Sequence, residues 1–466
     1  ERDLSTGVLV GVSGLRAGIA SSFASGPVGK ITNIGSEREL INTFGAPAEA
    51  NAADWLVAAE YLRYGGSLAV VRVATGVLNA TLDGSAVLIG SKEDFDAGAG
   101  SSEKFVARTA GAAGNNLYVA IVDKGPDFTI VKSGHGLSVG GTYTDDAAVG
   151  HEVVEVVDAN TVRIVQGTAA PTPAAGDTAT AFTSSLWNAT QIGTTGLTYK
   201  EIGPRPGTSA FASERYISND EVHVAVIDTS TNTIVERSTY LSKISDAKSP
   251  EGSSIYWKDY INQFSGFIYA SALTTAEFTT LGADPGAAAA SYGATAAAPI
   301  EIARILKTAG GALSGGTDDY AYTTGEVAAA YALFNDTEDT EIDFVLMGGS
   351  MGSEADTLVK AGAVAQVANT RKDCIAFISP WNGNQVAYSG NAALTPQEQL
   401  DNTINFFSSI GSSSYVVKDS GIKYTYDRFN DKYVYIGCNG DIAGVCVSTS
   451  TIGDDWLSPA GTSRGG

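Results

Sequence analysis

The stretch DFVLMGGSMGSEADTLVKAGAVAQVANTRKDCIAFIS, residues 343–379, reads as strand, turn, helix and strand. Asp343–Met347 and Cys374–Ile378 are near-continuous apolar runs, as strands covered on both faces require. Between them, residues 354–369 read as a helix. The rhythm continues in both directions. A helix over residues 325–334 precedes it, and Thr395-Pro396-Gln397-Glu398 opens another with a capping box and a proline in its first turn. That helix runs to Ile410, and a strand over residues 414–418 follows. Helices alternating with buried strands predict a mostly parallel sheet with helices on both faces.

The N-terminal part supplies matching pieces. Residues 4–18 carry too many glycines for a helix and read as an extended arm. Ser36-Glu37-Arg38-Glu39 is a capping box that launches a short helix ended by Gly45 and Pro47. A second helix places Trp55, Leu56, Ala59 and Leu62 on one face, and residues 67–73 form a buried strand. The fold class is therefore an α/β parent domain built from both chain ends, with inserted α+β and β-rich domains. The expected limits are an arm over 1–18; a core from 19–75 plus 323–466; a middle domain from 76–127 plus 199–322; and a β-rich surface insertion over 128–198. Within these, residues 74–104 read as a linker or short excursion, and 281–299 as an Ala/Gly-rich surface loop. Residues 221–228 and 234–243 read as a hairpin. The insertion is bounded by turn-rich segments, so its contacts with the parent are expected to be few.

Composition excludes several classes. The chain has 466 residues, 44% hydrophobic and only 17% charged, which fits a packed protein and not a disordered one. With 29 basic and 51 acidic side chains, its net charge of −22 repels nucleic acid and anionic membranes. No apolar run reaches the roughly 18 residues of a membrane span. Cys374, Cys438 and Cys446 lie in strand-like apolar contexts and read as buried reduced thiols.

No catalytic constellation emerges. Residues 348–352 (GGSMG) could cradle a phosphate, but they lack the third glycine and the later acidic residue of a dinucleotide site, so a tight strand-to-helix turn is expected. Ser379-Pro380-Trp381 is no nucleophile elbow. His135, His151 and His223 have no partners at ligand spacing and read as turn or surface residues. Asp94, Asp96 and Glu103 do not fit a calcium loop. The expectation is a non-enzyme with no cofactor, no metal and no catalytic residue.

Residues 421–466, GIKYTYDRFNDKYVYIGCNGDIAGVCVSTSTIGDDWLSPAGTSRGG, begin as a hairpin with Tyr424 and Tyr426 on one strand and Tyr433 and Tyr435 on the other. The aromatics read as cross-strand packing in a half-buried hairpin, followed by small-residue segments. This hairpin, then NGDIAG, then DW-x-SPAG-x-x-RG, resembles the contractile-tail sheath proteins of myophages. So do GPVGKITNIGSERELINTFG and YLRYGGSLAVVRV near the N-terminus. GTSAFASERYISNDEVHVAVID and KISDAKSPEGSSIYWKDYIN are similar most nearly to cyanobacterial myophage sheaths. In that family further chain follows, so the closing elements of the core are expected beyond Gly466.

The resemblance implies a structural subunit, stacked as hexameric rings around an inner tail tube, that contracts to drive the tube through the host envelope. Expected partners are copies of itself, the inner tail tube protein, and the baseplate and tail terminator proteins. Nucleic acid binding and membrane insertion are not expected. The location implied is the virion, after assembly in host cytoplasm. The resemblance also places the arm, with Asp3, Leu4, Val8, Leu9, Val10 and Val12, in a neighbouring subunit's sheet. Two other readings stay open: the sheath of a tailocin or similar injection device, and a secreted glycan-binding or surface-layer protein.

Overall fold

A computed structural model describes residues 15–271, 273–274, 300–338, 340–387, 393–453 and 457–460. Two compact units result, one from the chain up to Val77 and from Asp318 onward, the other from Leu78–Thr317.

The first unit is built on six strands in the order Val416–Lys418, Ile375–Ile378, Phe344–Leu346, Arg16–Ser21, Ser67–Arg72, Ile31–Ile34. Every neighbouring pair is parallel except the last, where Ile31–Ile34 runs antiparallel along Ser67–Arg72. Alternation along each strand sends side chains to opposite faces. Phe344, Leu346 and Phe377 enter one core with Trp55, Tyr61 and Phe44. Val345, Met347, Ala376 and Ile378 enter the other with Tyr331, Phe334, Val364 and Phe406. Helices Glu37–Phe44, Ala52–Arg63 and Asn439–Ile452 cover the first face; Thr324–Ala332, Glu354–Arg371 and Pro396–Ser408 cover the second. The caps form as the sequence dictates. Thr395 Oγ1 accepts from Glu398 N (3.3 Å) while Glu398 accepts from Thr395 N (2.7 Å). At Ser36 the return bond lands one residue early, with Gly35 N donating to Glu39 Oε2 (2.8 Å).

Three expectations change here. The sheet begins at Arg16, inside the span read as an arm, because Arg16–Ser21 pairs in register with Ser67–Arg72. The antiparallel edge strand Ile31–Ile34 had no reading of its own. The small-residue segment after the hairpin is the helix Asn439–Ile452, despite glycines and a β-branched run that disfavour helix. Packing supplies the reason. A Cβ on Gly440 would stand 2.5 Å from Val57 O, and one on Gly444 would stand 2.2 Å from the Tyr64 ring. The two glycines let this helix approach the Ala52–Arg63 helix at backbone contact, burying Ala443 and Val447.

The second unit holds an antiparallel sheet ordered Thr233–Ser242, Glu221–Asp228, Leu117–Asp123, Gly311–Ala312. One side packs on Phe105, Trp257 and Ile261, the other on Phe182, Trp187 and Tyr199. Residues 78–104 are not a linker. Asn79 is wholly buried, with Nδ2 donating to Ala107 O (2.9 Å) and Oδ1 accepting from Ile89 N (2.7 Å). Isolated bridges also pin Leu78 to Thr317 and Thr81 to Ser314. Small side chains make such close bridges possible, and the same smallness hides them from periodicity. No described helix is long and apolar enough to cross a membrane.

A five-stranded antiparallel sheet spans Phe128–Val131 through Thr178–Ala181 and encloses its own core of Ile130, Tyr143, Val153, Val162 and Ile164. The stretch after it, read as part of a loosely attached insertion, packs into the middle sheet instead. Phe182, Trp187 and Ile192 are buried there beside Val122 and Ile227, and Arg205 Nη1 donates to Phe182 O (2.8 Å). Replacing residues 129–180 with a short Gly/Ser linker should therefore leave a folded unit, whereas Trp187→Ala should cost about 3–5 kcal/mol. Urea denaturation of the two variants measures both; a linker variant that fails to fold would show the five strands to be part of the core.

Candidate functional site

Ligands of parallel α/β sheets sit outside the carboxyl ends of the strands, so the turns after Phe344–Leu346, Ile375–Ile378 and Val416–Lys418 are where chemistry would be found. The chain fills that position with its own side chains. Gly348, at φ 74°, lets the backbone turn sharply after the strand, where a Cβ would lie 2.6 Å from Asp54 Oδ1. The amides a phosphate would need are taken: Gly348 N donates to Asn439 Oδ1 (3.1 Å), Gly349 N to Asp54 Oδ1 (2.6 Å) and Met351 N to Thr357 Oγ1 (2.9 Å). GGSMG is a strand-to-helix turn clasped from within.

Two clusters do the clasping. In the first, the buried Lys360 Nζ donates to Asp54 Oδ1 (3.0 Å), Tyr322 OH (2.9 Å) and Gly349 O (2.9 Å), and Tyr322 OH donates to Asp54 Oδ2 (3.0 Å). All three protons of the ammonium are satisfied. Burial opposes its charge, but Asp54 and the hydroxyls of Tyr322 and Tyr331 outweigh burial and hold the Lys360 pKa above its ordinary value.

In the second, Asn439 Nδ2 donates to Gly348 O (2.9 Å) and to Ser379 Oγ (3.0 Å), and Asn439 N also donates to Ser379 Oγ (3.1 Å). Ser379 Oγ donates to Asp419 Oδ2 (2.5 Å), and Gly421 N donates to Asp419 Oδ1 (2.6 Å). Burial pushes the Asp419 carboxyl up to about 6 against these two bonds. Ser379 is fully buried, and no histidine lies in this unit. The cluster orders the backbone, and the Ser379 hydroxyl is enclosed between Asn439 and Asp419.

The histidines are not turn or surface residues as a set. His135 is partly exposed, but His151 and His223 are fully buried. His223 Nδ1 accepts from Tyr240 N (3.0 Å) and Nε2 donates to Pro204 O (2.8 Å), at a register shift between Glu221–Asp228 and Thr233–Ser242. Burial lowers its pKa, so it stays neutral. Histidine here replaces ladder bonds that the irregular pairing loses, a role with no periodic signature. Among the described residues no three His, Cys, Asp or Glu side chains are placed to hold a metal. Cys446 lies on a helix and Cys438 at its start, not in strands as read; all three cysteines are free, and burial raises each thiol pKa.

The hairpin forms as read, from Ile422–Asp427 and Lys432–Gly437, with Tyr424 opposite Tyr435 and Tyr426 opposite Tyr433. Its tyrosines are exposed, however, because Val434 and Ile436 occupy the face that meets the core. Asp3, Leu4, Val8, Leu9, Val10 and Val12 lie outside the described residues. Asp54, Tyr322, Lys360, Asp419 and Asn439 had no reading as site residues from sequence, and Ser379 was read only as no nucleophile elbow. The one signal was Lys360, a lone charge in line with Val364 and Val367 on the helix face that turned out to be buried.

Lys360→Met should cost about 3–5 kcal/mol by stranding Asp54, and adding Asp54→Asn should return part of that loss. Urea titration of the singles and the double closes the cycle; equal costs for Lys360→Met and the double would refute the coupling. Asp419 should titrate near pH 6 by carbon-detected NMR, and Ser379→Ala should move it higher by removing a bond that favours the carboxylate. Because the folded value is raised, this group's contribution to stability is full below its unfolded pKa near 4 and is lost as pH rises through about 6.

No family model matches the chain. The chain is 26% identical over 92% of its length to the tail sheath protein of Salmonella phage ViI, spanning 66% of that relative. It is 27% identical over 97% of its length to that of Vibrio phage KVP40, spanning 73%. Over 33% of its length it is 30% identical to the tail sheath protein of Enterobacteria phage T4, of which it spans 24%. The chain thus corresponds to part of each relative's length. Among solved structures, the sheath tail protein of Desulfitobacterium hafniense overlays with a TM-score of 0.38 at 9% identity, covering 93% of this chain and 59% of that one. That of Listeria innocua gives 0.37 at 10% identity, covering 91% and 68%. By sequence, over nearly all of its length, this chain is similar to the tail sheath proteins of Salmonella phage ViI and Vibrio phage KVP40.

Proposed function

We propose that this chain is the structural subunit of a contractile phage tail sheath, a virion component that polymerises around the inner tail tube and contracts to drive it through the host envelope. The observation that carries this reading is the sequence relationship to tail sheath proteins running through 92–97% of the chain. The occupied strand ends agree with it, since an α/β unit that fills its own crevice has no room there for a substrate. On this reading the partners are copies of itself in stacked hexameric rings, the tube protein, and the baseplate and terminator proteins.

The physics of such a machine asks for many weak, coupled contacts. Shifting a population from 1:99 to 99:1 takes about 5.5 kcal/mol, which an array of subunits supplies through small gains at each contact. The finer part of the proposal is that the arm before Arg16, with Asp3, Leu4, Val8, Leu9, Val10 and Val12, acts between subunits, Leu9 and Val10 adding backbone donors to a neighbour's sheet.

The test uses the full-length protein, wild type and Leu9→Pro/Val10→Pro, mixed with tube protein and viewed by negative stain. Wild type should form tubes of stacked rings. The proline variant should keep its circular dichroism and melting but fail to polymerise, since proline removes both donors. Wild-type protein that stays monomeric beside the tube overturns the function. A proline variant that assembles normally overturns the role of the arm.

A further inference from the structure

The chain enters the five-stranded sheet through residues 124–127 and leaves it at Phe182, and one arginine gathers both ends. Arg205 Nε donates to Lys124 O (2.6 Å), Nη1 to Phe182 O (2.8 Å) and Nη2 to Pro126 O. Its guanidinium also stands 5.2 Å from the Phe182 ring. The guanidinium fork is rigid, so it collects the three carbonyls only while the backbone around Arg205 stays in place. Two buried side chains hold that backbone: Trp187 Nε1 donates to Gly203 O (3.0 Å) and His223 Nε2 to Pro204 O (2.8 Å).

His223 can do this in one protonation state only. Its Nδ1 accepts from Tyr240 N (3.0 Å), so the ring proton sits on Nε2 and points at Pro204 O. Tyr240 lies at the register shift with φ 57°, a left-handed conformation that a tyrosine adopts at a cost. A second proton, on Nδ1, would set N–H against N–H and leave the Tyr240 amide without its acceptor. It would also place a charge on a ring that is fully buried. The imidazolium has no seat here, and as the ring moves out Pro204 O loses its donor too.

The charged groups around the ring are engaged elsewhere. On its own strand Glu221 accepts from Gly207 N (2.8 Å), and just before it Asp220 accepts from Ser209 N (2.8 Å) and Ser242 Oγ (2.6 Å). On one neighbouring strand Asp123 pairs with Lys243 (2.8 Å); on the other, Glu236 and Arg237 lie past the register shift, opposite Val226 and Ala225. From the segment over the ring, Lys200 and Glu201 are exposed and Arg205 is bound to its three carbonyls. Among the described residues no carboxylate bonds the imidazole, and burial holds its pKa below the ordinary value. The neutral ring therefore contributes its full stability above the unfolded value near 6.5, and that contribution is lost as pH falls through the lowered folded value.

We propose that His223 is an acid-operated catch: its protonation releases Tyr240 and, through Pro204, the Arg205 clasp on the two ends of the five-stranded sheet. The test is amide exchange of the full-length protein by mass spectrometry at pH 7.5 and 5.0, corrected for the intrinsic pH dependence of exchange. Peptides over residues 182–190, 200–207 and 238–242 should exchange about tenfold faster at the lower pH, while the central strand over 119–122 keeps its protection. His223→Gln, which offers one donor and one acceptor but takes up no proton, should lose this step. Exchange that is unchanged in the wild type, or an equal step in His223→Gln, overturns the proposal. If the glutamine variant does not fold, ring nitrogen NMR of the wild type decides: the exchange step must coincide with protonation of His223, and a step at a pH where the ring stays neutral overturns the catch. Arg205→Lys tests the coupling and should leave 182–190 fast at both pH values. Protection of that peptide equal to wild type overturns the role of Arg205.

Discussion

The first unit depends on burying the Lys360 ammonium. Its three protons go to Asp54, Tyr322 and Gly349 O, groups drawn from a helix near residue 54, the segment re-entering at 322, and the turn after Phe344–Leu346. Nothing local brings these together: Asp54 and Lys360 are 306 residues apart. A charge left dry without partners would cost several kcal/mol, so this unit can fold only with both ends of the chain in register. Asn439 repeats the device from the C-terminal side, its amide matching both polar groups of Gly348. The fold is specified less by its apolar strands, which could pair in other orders, than by polar groups that allow one arrangement.

That distinction explains what was legible. Strands such as Phe344–Leu346 and caps such as Thr395 announce themselves because their signals are local, a run of apolar residues or an acceptor three positions before a glutamate. The helix Asn439–Ile452 does not. Its sequence favours turn and strand, and only the approach of Val57 and Tyr64 explains Gly440 and Gly444. The roles of Asn79 and His223 are hidden for a like reason, since each bonds backbone groups that regular pairing leaves open, Asn79 toward Ala107 and His223 at the register shift of its own hairpin. The exposed side of the hairpin was misjudged because alternation fixes which residues share a face but not which face meets the core.

The Asp54–Lys360–Tyr322 cluster is not an efficient way to add stability, because well-packed apolar residues of similar volume often do as well. What it adds is discreteness: each donor has one acceptor at 2.9–3.0 Å, so a small sliding of the Glu354–Arg371 helix breaks several bonds at once. Interiors of this kind move as blocks and not by gradual deformation. On the proposed sheath role, a subunit that exchanges one set of neighbours for another would need that property, since contact energy would otherwise be absorbed by distortion inside the subunit. The enzyme-like position at the strand ends is then put to mechanical use. The crevice where other α/β proteins hold a ligand holds the lysine that locks the sheet to its helices, while four exposed tyrosines lie elsewhere on this unit, on a ribbon anchored through Ile436 and Phe429 to the same core.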